Sequence, residues 1–128
     1  APITLLGGAF DRHTGREPFV LPGSWLAAKG RLKPSTPLNF VSTLDIIGGN
    51  SGSPVLNRDA QVVGVVFDGN MQSLGGVFFY DDTANRAVSV HSAGLIESLK
   101  GIYNAQPLLK ELQQAASLAA SAGAATKH

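Results

Sequence analysis

There is no cysteine in this chain. It therefore has neither a disulfide framework nor a thiolate nucleophile, which is compatible with the cytosol or a bacterial envelope and decides neither. Charge is scarce as well: 15% of residues are Asp, Glu, Lys or Arg, and the formal net charge is +1. Such a balance gives no case for nucleic acid or an acidic partner. Long apolar runs are missing, every one falling far short of the roughly 20 residues that span a bilayer. No basic-then-apolar segment opens the chain. The His, Asp and Glu residues do not recur at zinc-like spacing, so neither a metal nor a resident cofactor is expected. What is present is 128 residues, 44% of them hydrophobic, with 15 glycines. That is enough for one domain or part of one. The sequence starts at Ala1 and enters at once on Ile3-Thr4-Leu5-Leu6, so it reads as a piece of something longer.

The pattern predicts a mainly β fold with C-terminal helices. Residues 1–36 read as an irregular lead-in broken by Gly and Pro. It holds one short helix from Gly23 or Ser24 to about Leu32, capped by Ser24. Residues 37–91 read as an antiparallel β-barrel portion, with strands at Leu38–Thr43, Val55–Leu56, Gln61–Phe67, Gly76–Tyr80 and Arg86–Val90. The Val-rich run to Phe67 is that expected of a strand buried on both faces. Residues 92–114 switch to helical periodicity. Leu95, Ile96, Leu99, Ile102 and Tyr103 share one face, with Ser92 as N-cap. Pro107 suits the first turn of a second helix carrying Leu108, Leu109 and Leu112. The Ala-rich tail, 115–128, has little to bury and is expected to fray or be disordered.

Chemistry concentrates in Gly48-Gly49-Asn50-Ser51-Gly52-Ser53-Pro54-Val55. A nucleophilic serine needs a base, an orienter for that base, and N–H donors aimed at the developing oxyanion. The glycines suit the last need. Gly49 can turn its N–H inward, Ser51 supplies a second N–H, and Gly52 lets the backbone approach a substrate. The order does not match the Gly-x-Ser-x-Gly elbow of α/β-hydrolases, and no Lys follows to make a phosphate loop. Ser53 is a rival nucleophile without the flanking Gly-x donor pattern. A base is not evident: His13 reads as a solvated loop residue, His91 as structural, and His128 is the last residue. Read without chemistry, the same run is a polar turn between strands.

Gly48 to Val55 resembles the nucleophile loop of trypsin-fold serine peptidases. Taken with Leu38–Thr43, Asp45-Ile46, Gly64 and Phe67-Asp68-Gly69-Asn70, it resembles the C-terminal part of the family S46 dipeptidyl peptidases of bacteria. Arg12, Thr14-Gly15, Pro18-Phe19, Leu21-Pro22, Trp25-Leu26 and Ala28-Lys29 carry the likeness upstream. Ile102–Ala105 and Leu108–Leu112 carry it downstream, so it covers about residues 3–113. The resemblance implies a trypsin-like double β-barrel, of which this chain holds part of the second barrel, in a periplasmic or cell-surface enzyme that forms a homodimer. It implies that Ser51 is the nucleophile and that the N–H groups of Gly49 and Ser51 form the oxyanion hole. The catalytic His and Asp would lie upstream, outside this sequence, leaving the piece alone inactive. Asp68 would hold the α-ammonium of a peptide with a free N-terminus, and Gly69 would set P1 preference. An arginine at that position marks the acidic-P1 branch, so Gly69 implies a hydrophobic or broad P1. Two positions depart from the family pattern. Ile47 replaces a Thr, and His91-Ser92-Ala93-Gly94 replaces an Asp-x-Arg-Tyr pattern.

Two other readings stay open. Asp45 lies six residues before Ser51, where many trypsin-like endopeptidases place a P1-specificity residue, although it also reads as a loop Asp bonding its own backbone. The third reading is a serine-peptidase-like module without activity.

Overall fold

The computed structural model describes residues 2–125. Strand β1 (Ile3–Leu5) runs straight into helix α1 (Leu6–Asp11). Helix α2 (Gly23–Ala28) follows and tightens into a 3-10 turn over Lys29–Arg31. Then come β2 (Pro37–Ser42), β3 (Pro54–Leu56), β4 (Val62–Gly69), a 3-10 helix over Met71–Val77, β5 (Ala87–His91), α3 (Ser92–Gly101) and α4 (Gln106–Ala125). The strands form one antiparallel sheet in the order β1-β2-β5-β4-β3. The chain is thus mostly antiparallel sheet with C-terminal helices.

The main apolar cluster lies beside the sheet. Leu6, Ala28 and Leu32 are buried there, with Phe10, Trp25, Leu38 and Ile102 packed around them. Burying one such leucine contributes roughly 1.5–3 kcal/mol. Two backbone bonds, from Leu6 N–H to Thr36 O (2.8 Å) and from Gly7 N–H to Pro34 O (2.9 Å), pin α1 to the segment entering β2. Helix α3 packs against β2, β4 and β5. Gly94 makes the approach possible: a Cβ there would come within 2.9 Å of Pro37 O.

Several expectations need correction. The lead-in is not irregular throughout, since β1 pairs Ile3 with Phe40 and α1 follows it. α2 ends at Ala28, and its N-cap is Pro22 rather than Ser24. The Val-rich strand is not buried on both faces. Gly64 and Val66 on one face are buried and Val63 and Val65 on the other are half-buried, while Val62 and Phe67 are 55% and 45% exposed. Gly76–Tyr80 is not a strand. The Asn70 side chain accepts the N–H of Ser73 and starts the 3-10 helix instead, so a local side-chain cap diverts the backbone from extension. His91, not Ser92, caps α3, its Nδ1 accepting the Ala93 N–H at 3.0 Å. α4 carries helix through Ala115 to Ala125, in keeping with the high helix propensity of Ala.

Candidate active site

The glycine-rich loop crosses from β2 to β3 and is fastened at its far side to β4. Gly52 N–H donates to Val66 O at 2.8 Å, and Val66 N–H donates to Ser53 O at 3.0 Å. These bonds extend the β3–β4 ladder by one step beyond the Pro54–Val65 pair. Gly49 and Gly52 have φ of 99° and 92°. Those are left-handed values that strain any residue bearing a Cβ, which explains glycine on either side of Ser51.

Within the loop the hydrogen bonds divide sharply. The Asn50 side chain accepts the Ile47 N–H at 2.7 Å, and the N–H groups of Asn50 and Ser53 bond to Ile47 O (3.2 Å) and Asn50 O (3.0 Å). The N–H groups of Gly48, Gly49 and Ser51 have no partner among the described residues. The two donors expected to meet an oxyanion are thus unpartnered among the described residues, as are the N–H groups of Leu44, Asp45 and Ile46 earlier in the same loop. Asn50 is the residue that sequence reasoning missed. Its signal was present, because Asn at the end of a tight turn commonly bonds nearby backbone.

Ser51 Oγ donates to Phe67 O at 3.4 Å, which sets the hydroxyl beside β4. Strand β4 is irregular at that point. Val66 faces Ser89 and Asp68 faces Val88, so Phe67 is an extra residue, a β-bulge. A bulge re-aims the residues after it. It allows the consecutive residues Val66, Phe67, Asp68 and Gly69 to border one cleft of about 250 Å³. Ile46, Ile47, Gly48, Asn50 and Ser51 form one side of the cleft, and Ser73 and Leu74 close it. Asp68 is exposed, with Oδ1 accepting the Gly69 N–H at 2.8 Å. Among the described residues it is the one charged residue that borders the cleft.

The structure therefore brings Ser51, Asp68 and Gly69 around one cleft, with Gly49 in the adjoining turn. Asp45 is exposed and does not border it. Ser53 serves the turn, through its own N–H and carbonyl. His13 is not a free loop residue: it is half-buried, and its Nδ1 accepts the Leu21 N–H at 3.0 Å. His91 caps α3 and packs edge-on against Phe40, with ring centroids 5.7 Å apart. Neither histidine borders the cleft, and His128 lies outside the described residues. Asp81, in the loop before β5, is held below the usual carboxylate range by the hydroxyl and then the N–H of Thr83, away from this site. Among the described residues no group of three or more His, Asp or Glu could hold a metal ion. Nor is any described helix long and apolar enough to cross a membrane.

A family model described as Peptidase S46 matches residues 1–114. An Asp/Glu-specific dipeptidyl-peptidase of Shewanella putrefaciens is 32% identical over 141 aligned positions, which take in 87% of this chain and 19% of that protein. A dipeptidyl-peptidase 7 of Phocaeicola vulgatus is 46% identical over 100 positions, 68% of this chain and 13% of that protein. The crystal structure of Porphyromonas endodontalis DPP11 in complex with the dipeptide Arg-Asp superposes with a TM-score of 0.79. The match covers 88% of this chain and 18% of that one at 24% identity, a likeness of fold. The chain spans at most 19% of the length of these relatives.

Proposed function

The chain belongs to the peptidase S46 family, and on that premise we propose that it is the nucleophile-bearing segment of a longer serine-type dipeptidyl peptidase. The observation that carries this reading is the pair of free N–H groups at Gly49 and Ser51, beside a serine at the rim of a cleft that holds one carboxylate. Ser51 Oγ attacks the scissile carbonyl, and the two N–H groups receive the charge that develops on its oxygen. On the family likeness, the base that takes the Ser51 proton and the carboxylate that orients it come from outside this segment; of the described histidines, His13 and His91 are engaged elsewhere. Asp68 receives the substrate's α-ammonium, which fixes the cut two residues from the N-terminus. The wider setting proposed with it is a trypsin-like double β-barrel in a periplasmic or cell-surface homodimer.

The cleft favours a hydrophobic or broad P1. Ile46, Ile47, Val66, Phe67 and Leu74 supply its apolar border, and the single charge among its described residues is negative. An acidic P1 side chain would share that space with Asp68 and meet no cation. The relatives named above include an Asp/Glu-specific enzyme, so likeness alone does not select P1.

The test uses the full-length protein and two fluorogenic peptides with Leu at P1, identical except for N-terminal acetylation. Cleavage of the free peptide alone is the expected result. Equal cleavage of both would favour the endopeptidase reading, and cleavage of neither would favour a module without activity. A second expectation concerns the loop itself. Asn50→Ala removes the acceptor of the Ile47 N–H and loosens the turn that presents Gly49 and Ser51. It should lower kcat by about 10–100-fold with KM little changed, the scale of a small misplacement of reacting groups. Steady-state kinetics beside a melting curve would show whether the loss is catalytic or structural.

A further inference from the structure

We propose that Ser73 is a specificity-determining residue of the cleft, acting by filling the space into which any side chain at position 69 would grow. The proposal rests on the reading of Gly69 as the position that sets P1. A Cβ built on Gly69 would lie 2.3 Å from Ser73 Oγ, and 3.4 Å from both Ser73 Cβ and Ile46 Cδ1. The first distance is far inside van der Waals contact, and the other two are ordinary. Gly69 has no positive φ, so its backbone would accept a side chain and the obstacle is the hydroxyl alone.

That hydroxyl is not free to swing aside. Ser73 Oγ donates to Asn70 O at 2.6 Å, and Ser73 N–H donates to Asn70 Oδ1 at 3.1 Å. Asn70 is itself held from the segment just before β5. Its N–H reaches Arg86 O (2.9 Å), its Oδ1 accepts the Arg86 N–H (2.9 Å), and its Nδ2 donates to Ala84 O (2.7 Å). Rotating Ser73 breaks the shortest bond of this set. Gly69 and Ser73 are therefore a coupled pair. With both present, no side chain at 69 enters the cleft that Ile46 and Leu74 border, and the charge on its lining, among the described residues, is that of Asp68. A cationic side chain at 69, able to receive an acidic P1, requires the hydroxyl at 73 to go first.

Four full-length proteins test this: the wild type, Gly69→Arg, Ser73→Ala and the double variant. Each is assayed on free-N-terminal dipeptidyl coumarins with Leu or Glu at P1. Gly69→Arg alone should lose activity on both substrates without gaining a preference for Glu. The double variant should raise the Glu-over-Leu ratio of kcat/KM by at least about tenfold, the lower end of what one well-placed pocket contact supplies. An equal gain in Gly69→Arg alone would overturn the proposal. A melting-temperature cycle is independent of catalysis. Gly69→Ala should lower Tm, and adding Ser73→Ala should restore part of the loss, whereas simple additivity would overturn the steric coupling. If the wild type cleaves neither coumarin, the peptidase reading fails while the melting cycle still decides the contact.

Discussion

Ser51→Ala in the full-length protein is expected to lower kcat on a free-N-terminal peptide by about 10⁶-fold, the scale seen when a triad serine is removed. The size of the effect follows from what Ser51 alone provides. The neighbouring N–H groups of Gly49 and Ser51 survive the substitution, because both are backbone and the loop is fixed by Gly52, Asn50 and Ser53. Substrate should still bind, so KM should change far less than kcat. Little stability should be lost, since the hydroxyl makes only the 3.4 Å contact to Phe67 O. Single-turnover kinetics and a melting curve measure the two parts separately. A variant that retains more than about a hundredth of the wild-type rate would remove Ser51 from the chemistry and return Ser53 to consideration.

Asp68→Asn should cost about 10²–10³-fold in kcat/KM on the same peptide, in line with truncating one partner of a hydrogen-bonded charge pair. Asparagine is the informative replacement. Its side-chain oxygen can still accept the Gly69 N–H that Asp68 Oδ1 accepts at 2.8 Å, so the strand geometry is kept and only the charge is lost. The acetylated peptide, which has no ammonium, should show no such loss. The rate on the free peptide should therefore fall toward that on the acetylated one. Because Asp68 is exposed in this chain, Tm should move little. An unchanged ratio of free to acetylated cleavage would assign the N-terminal grip to another residue.

The serine loop was legible because its glycines have a single conformational reason to be there, and the structure gives both flanking glycines positive φ. The placement of Asp68 and Gly69 on the same cleft was legible only through family likeness. It depends on the bulge at Phe67, and a run of valines ending in Phe-Asp-Gly does not announce a bulge. Short elements were hidden for another reason. β1 is three residues long, and its partner Phe40 lies far along the chain, so no local pattern could reveal the pairing. Phe78, Phe79 and Tyr80 have the composition of a strand, yet the Asn70 cap starts a 3-10 helix over Met71–Val77, and these three residues follow it outside any strand. The α4 extension is hard to see in sequence because the tail offers few large apolar side chains to bury, although Ala needs little burial to stay helical.

The sheet order carries one more consequence. β3 and β4 are neighbours both in the chain and in space, whereas β2 must wait for β5, with Asn39 meeting Val90 and Ser42 meeting Ala87. Closing the longer loop costs more chain entropy and comes later in folding on topological grounds. Ser51, Asp68 and Gly69 sit in or beside the early hairpin, and only the Asn70 clamp waits for β5. On the roles proposed above, nucleophile and selector thus lie in one contiguous segment of the chain. Recombination between relatives at Ile46 and Leu74 would transfer cutting and choosing as a single trait.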